Sequence, residues 1–266
     1  MNRLRNDHLY MMPAHFGGKP GGMTATTYHD TVSATIRYET DQDALEALIP
    51  EGFELRSAEI MVAAMMNRGV EWMAGEPYNI VAVNAPVRYR KASPNIDGWY
   101  SLVVWENKTT PILPGREQTG IPKIYSEIEE FRFLGDEMRT WAHYGGHSFC
   151  DLHFSNIREA SADERRQVDD EFRTMNWMAW RHIPKPGEGG GASLSEATLF
   201  PQEFESSRVR LADASCVWST PPFWKNPIQA HIIARLESLP IVSPVGPAII
   251  MNAKNILRGD LAKLLD

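Results

Sequence analysis

At 266 residues and a net charge of −7, the chain carries no basic stripe of the kind that binds nucleic acid. Hydrophobic residues at 43% and charged residues at 23% are the proportions of a soluble globular core, in one large domain or two modest ones. Cys150 and Cys216 make no disulfide framework, no run approaches the ~18 apolar residues that span a bilayer, and the opening MNRLRNDHLYMMPAHFGG lacks an apolar stretch of signal-peptide length, so the expected compartment is the cytoplasm.

Residues 1–27, rich in Gly, Pro, Met and His, show no period and read as an arm, a candidate for packing onto a neighbouring subunit. The β-branched residues of 31–39 predict a strand. Thr40-Asp41-Gln42-Asp43 then opens a short helix with Leu45, Leu48 and Ile49 on one side, ended by Pro50 and Gly52. The apolar run within 57–67 is too short for its period to separate strand from buried helix; flanking turns favour a strand. Residues 78–90 and 99–106 read as two more strands, and 125–134 as one with a wet face. Over 138–155 the pattern predicts a hairpin, with Gly145-Gly146 supplying the positive φ angles of a two-residue turn.

Ser161-Ala162-Asp163-Glu164 is a capping box that starts a helix to about Thr174. Strands follow over 176–183, 193–200 and 204–218. The glycine-rich 185–191 reads as a flexible turn, because it lacks the lysine–hydroxyl ending of a phosphate-binding loop. A helix over 227–238, a buried strand region over 240–251 and a short amphipathic helix over 255–265 complete the chain. With no internal repeat and no long linker, residues 1–266 are expected to form a single, mainly β domain with a few outer helices.

His143, His147, Cys150 and His153 are of zinc-ligand type. If Gly145 and Gly146 are the loop, Tyr144 pairs with His147 and His143 with Ser148. Alternation then puts His143 and Cys150 on one face and His147 and His153 on the other. Four ligands cannot converge from two faces of one ribbon, so no metal site is expected unless a bulge intervenes.

Lys123 stands behind a proline in Gly115-Arg116-Glu117-Gln118-Thr119-Gly120-Ile121-Pro122-Lys123-Ile124, between apolar Ile121 and Ile124. Taken alone, it would read as one more exposed lysine. Desolvation, however, disfavours the charged form of an amine, and a neutral lysine amine attacks carbonyls to form Schiff bases. The run GREQTGIPK resembles the signature of the acetoacetate decarboxylase family: Gly-Arg-Glu, three residues, an aromatic or aliphatic residue, Pro and Lys. Further segments follow in the family's order. They are Tyr38-Glu39-Thr40-Asp41-Gln42-Asp43-Ala44-Leu45 with Pro50-Glu51, Asn176-Trp177-Met178 through Ile183-Pro184, and Leu239-Pro240 followed by Ile241-Val242-Ser243.

The resemblance implies a cone-like antiparallel β-barrel with an adjoining sheet and peripheral helices, assembled as a homo-oligomer. It also implies that Lys123 forms a Schiff base with a keto acid inside a closed apolar cavity, with no cofactor. Members that decarboxylate acetoacetate carry a second lysine directly after the first, where this chain has Ile124. That departure favours the group's aldolase-dehydratases, in which an enamine made from a pyruvate-type keto acid attacks an aldehyde and water is lost. An acetoacetate-type decarboxylase and a non-catalytic barrel that binds a small acid are the alternatives; a metal-dependent hydrolase built on the histidines ranks last. The aldol route needs a general acid–base group, and Glu76, just ahead of the strand at Tyr78, is the catalytic candidate beside Lys123. Glu59, a second carboxylate, joins Gln118 and Arg116 as the substrate-binding candidates, although Arg116 could instead brace the loop with Glu117.

Overall fold

The computed structural model describes residues 4–187 and 189–265. Its core strands in chain order are β1 (Ala25–Glu39), β2 (Glu59–Val70), β3 (Tyr78–Tyr89), β4 (Ile96–Glu106), β5 (Lys123–Tyr125), β6 (Glu137–Tyr144), β7 (His147–Glu159), β8 (Thr174–Pro184), β9 (Ala192–Trp218) and β10 (Ala248–Arg258). The helices are α1 (Gln42–Glu46), α2 (Thr109–Thr119), α3 (Ala162–Phe172) and α4 (Ala230–Glu237). Among the described residues, no helix is long and apolar enough to cross a membrane.

Seven strands close a ring: β1 pairs β2, then β3, β4, β8, β9 and β10 follow, and β10 returns to β1. All these pairings are antiparallel except β4 with β8, which is parallel and covers only Trp177↔Trp99 and Met178↔Tyr100. Beyond that short contact the free edge of β4 takes β5 instead, also in parallel, with Val104 opposite Lys123. The lysine strand therefore fills a seam in the barrel wall.

Barrel closure explains the apolar runs. Met61, Ala63 and Met65 of β2 face inward with Trp177, Phe200, Phe204 and Met251. The alternate residues Ile60, Val62, Ala64 and Met66 pack outward against α1, α4 and the β6–β7 hairpin. A strand buried on both faces reads as a continuous apolar run rather than an alternating one. The hairpin lies on β9, forming the sheet that adjoins the barrel. This is the mainly β, barrel-plus-sheet architecture that the resemblance implies.

Several expectations need correcting. The stretch that carries the lysine signature is helix α2, not loop, up to Thr119. Residues 193–218 lie in one strand of 27 residues rather than two. Pro201 is tolerated there because it falls between β9's pairing with the C-terminal strand Lys263–Leu265, at 197–199, and with β10, from 202. The expected helix over 255–265 is absent: β10 runs on to Arg258, followed by a 3₁₀ turn and that C-terminal strand, because these residues complete ladders with β1 and β9. Residues 125–134 break into short strands at Glu127–Ile128 and Arg132–Leu134. Leu9, Met11 and Met23 of the arm line a cavity described below.

The hairpin has the expected register, Tyr144↔His147 and His143↔Ser148, but a bulge follows, so Ala142 faces Cys150. The four zinc-type side chains go separate ways. His143 lies beside Glu127 and Glu129, His147 Nε2 meets the Ser219 carbonyl at 2.9 Å, His153 meets Glu137 at 3.3 Å, and Cys150 is buried. Among the described residues, no group of three or more His, Cys, Asp or Glu side chains is placed to hold a metal ion.

Candidate active site

Helix α2 owes its form to tertiary support rather than to propensity, since it contains Pro111, Pro114 and Gly115 and has no apolar stripe. Gly120 ends it at φ +70°, a left-handed turn that glycine adopts at least cost. A Cβ there would lie 2.4 Å from the Cβ of Arg181, so the turn also needs glycine for its close approach to β8. Ile121-Pro122 then leads the chain into β5, where the Pro122 carbonyl accepts from the Val104 amide at 3.1 Å.

In β5 successive side chains point to opposite sides of the wall. Lys123 points inward; Ile124 packs on the outer core. Ile124 thus does not line the site, and the expectation that it strengthens the lysine's apolar surroundings is corrected: Ile121 does that instead. Lys123 passes directly over Gly115. A Cβ on Gly115 would lie 2.5 Å from both Cδ and Cε of the lysine and 2.9 Å from Nζ. The glycine of the signature is the space through which the lysine reaches the cavity.

The Lys123 side chain is only 11% exposed, and its Nζ lies 2.7 Å from Oε1 of Glu106, which is completely buried at the end of β4. Nζ also donates to the Pro111 carbonyl at 3.1 Å. Burial pushes the Glu106 carboxyl above its ordinary value, and Lys123 opposes that rise. Nearby, the Tyr78 hydroxyl donates to that of Tyr28 at 3.2 Å, and burial holds the Tyr78 phenol well above its ordinary value. The arrangement can pass a proton between amine and carboxylate away from bulk water.

Lys123 sits where two lobes meet. An outer lobe of about 210 Å³, bounded by the arm and α2, includes Leu9, Trp72, Gln118 and Ile121. An inner lobe of about 90 Å³ lies within the barrel and includes Asn84, Ser101, Glu106, Trp177 and Asn255.

Of the candidates, Gln118 shares the outer lobe with Lys123. Arg116 acts as a brace: its Nη1 donates to the Lys123 carbonyl at 2.8 Å. Glu76 is not brought to the lysine; it is exposed and pairs with Lys108 at 2.9 Å. Glu59, too, is apart. It faces Arg37 at 3.6 Å in a separate polar cavity with Asp97 and Glu171, and desolvation raises its carboxyl. The carboxylate at the lysine is Glu106, which the sequence reading passed over. Its signal was position, two residues beyond Val104 and therefore on the same face.

The acetoacetate decarboxylase family model matches residues 11–263, nearly the whole chain. The chain belongs to the acetoacetate decarboxylase family. No curated protein matches its sequence. Among solved structures it is similar to the acetoacetate decarboxylase of Legionella pneumophila, at 15% identity and TM-score 0.73 over 100% of this chain and 92% of that one. An acetoacetate decarboxylase-like enzyme from Sphingomonas wittichii RW1 aligns at 14% identity and TM-score 0.70, over 91% and 93% of the two chains. The enduracididine biosynthesis enzyme MppR, complexed with pyruvate, aligns at 11% identity and TM-score 0.66, over 98% and 99%. MppR has also been solved with the condensation product of pyruvate and imidazole 4-carboxaldehyde. At such identities these likenesses establish the family's fold for this member and nothing finer.

Proposed function

We propose that this family member is a Schiff-base-forming carbon–carbon lyase. It acts on a short keto acid such as pyruvate through Lys123, condenses the resulting enamine with an aldehyde, and loses water. The observation that carries this reading is the 2.7 Å contact between the Lys123 amine and a fully buried carboxylate, Glu106, inside a cavity.

The chemistry follows from that pair. Glu106 accepts the proton of the Lys123 ammonium, and the freed amine attacks the keto carbon. Loss of the carbinol oxygen as water leaves a protonated imine. That cation draws electrons from the adjacent carbon, whose proton leaves to give the enamine. The enamine carbon attacks the aldehyde, the new alkoxide takes a proton, and elimination of its hydroxyl gives an unsaturated product. Water then hydrolyses the imine and restores the lysine. Glu106, raised above the ordinary carboxyl value by burial while Lys123 opposes that rise, lies within reach of the amine and is suited to move each of these protons.

Two observations favour condensation over decarboxylation. Lys123 has a carboxylate at hand, and the residue that directly follows it is Ile124, which faces away. MppR, with the same fold, binds pyruvate and its aldehyde condensation product.

Borohydride reduction followed by intact mass and peptide mapping tests the proposal, with pyruvate and acetoacetate offered separately. A stable adduct on Lys123 from pyruvate, and no carbon dioxide from acetoacetate, is the expected result. Carbon dioxide release from acetoacetate would identify a decarboxylase. Failure of every keto acid in a panel to label Lys123 would leave a binding protein.

A further inference from the structure

The inner lobe holds three buried hydrogen-bond donors without a protein partner, beside the buried carboxylate of Glu106. The amide nitrogens Nδ2 of Asn84 and Asn255 and the indole Nε1 of Trp177 are buried and have no protein partner. Each residue is at least nine-tenths buried: Asn84 and Asn255 are 1% exposed and Trp177 is 6% exposed. The oxygens of the two amides are already used, because Ser101 Oγ donates to Asn84 Oδ1 at 3.2 Å and Gln202 Nε2 donates to Asn255 Oδ1 at 2.6 Å. What remains around a chamber of about 90 Å³ is three N–H donors and the Glu106 carboxylate, which on the Schiff-base reading has taken up the lysine proton. Buried donors without partners are costly and call for something to accept from them.

Backbone geometry shows that this face is built. β3 and β4 slip register between Val83 and Asn84, so that Asn84 pairs Ser101 while Val83 pairs Val103. The bulge lets Ser101 face inward together with Val104 and Glu106, which strict alternation would forbid.

We infer that the inner lobe is a carboxylate subsite, in which Asn84, Asn255 and Trp177 donate N–H groups to the keto acid's carboxylate while its methyl carbon faces the outer lobe. This rests on the Schiff-base reading and gives it a direction. In a 2-keto acid the carboxylate is bonded to the carbon that joins Nζ, so an imine on Lys123 puts the anion just beyond the lysine. Neutral donors suffice there because the iminium supplies the compensating positive charge one bond away. The enamine carbon then points to the larger, apolar outer lobe, the side open to a second reactant.

The test compares two carbonyl probes, pyruvate and acetone, which differ in the carboxylate. Initial rates of borohydride trapping on Lys123 are measured below saturation for the wild type and for Trp177→Phe, Asn84→Leu and Asn255→Leu. In each variant the pyruvate rate is expected to fall at least about tenfold relative to the acetone rate, the loss typical of a hydrogen bond to a charged group. The acetone rate itself should hold, which reports an intact lysine and fold. An unchanged pyruvate-to-acetone ratio in all three variants would overturn the subsite, as would an equal loss of both probes. If the wild type traps neither pyruvate nor acetone, the Schiff-base reading itself has failed, a result separate from failure of the subsite alone.

Discussion

Gly115→Ala isolates the value of lysine placement, because it adds one methyl group and leaves every reacting group in the chain. That methyl would sit 2.5 Å from Cδ and Cε of Lys123 and 2.9 Å from Nζ. Non-bonded carbons settle at about 3.5–4.0 Å, so the lysine must retreat by roughly 1 Å. The fold should absorb this, since the obstacle is the far end of a flexible side chain and alanine favours a helix over glycine by ~1 kcal/mol. Function should not. A misplacement of about 1 Å costs about 10²-fold in rate, or ~2.7 kcal/mol of barrel-held positioning. The assay is the second-order rate constant for pyruvate trapping by intact mass, run beside a thermal melt. A G115A protein that traps pyruvate within twofold of wild type would refute the reasoning, and so would one whose melting temperature collapses together with its rate.

Glu106→Gln keeps the shape and removes the proton acceptor; trapping at neutral pH should fall by about 10²-fold or more, read by the same assay. Glu76→Gln should leave trapping within twofold and stability within ~0.5 kcal/mol in urea titration, since its partner Lys108 is as exposed as it is. Glu59→Gln should likewise spare trapping, because Glu59 lies in a different cavity. It should, however, alter the pH dependence of folding. Burial raises the Glu59 carboxyl above its ordinary 4.5, so its contribution is fully present below that pH and is lost as pH rises through the raised value. The urea midpoint of E59Q should therefore gain on wild type between pH 4.5 and 7; a constant difference would show that the burial is not felt.

The strands were legible because barrel walls impose period and turn chemistry on their residues: Gly145-Gly146 and the Ser161–Glu164 box both appear as read. Helix α2 was not, since its prolines and glycine argue locally against a helix and packing on β4, β5, β8 and β9 stabilises it. Residues 255–265 erred the other way; their leucines, Ala262 and Lys263 suit a helix, but ladder partners on β1 and β9 decide their conformation. At the site, Lys123 was legible through its motif, whereas Glu106 looks like any polar strand end. Alternation gives its inward direction, but its lysine partner arrives only when β5 closes the seam beside it, a contact between residues 17 positions apart that no local pattern reports.

Strand β9 carries a consequence for how the molecule comes apart. Its first part pairs β8 in the barrel, its middle pairs β10, and its last nine residues pair the β7 hairpin of the outer sheet, with no loop between. Such a continuous main chain leaves no hinge at which one sheet could open while the other holds. Amides on both sheets should accordingly exchange hydrogen through one shared opening. Cutting away the outer hairpin to make a smaller enzyme would unzip the wall that surrounds the lysine.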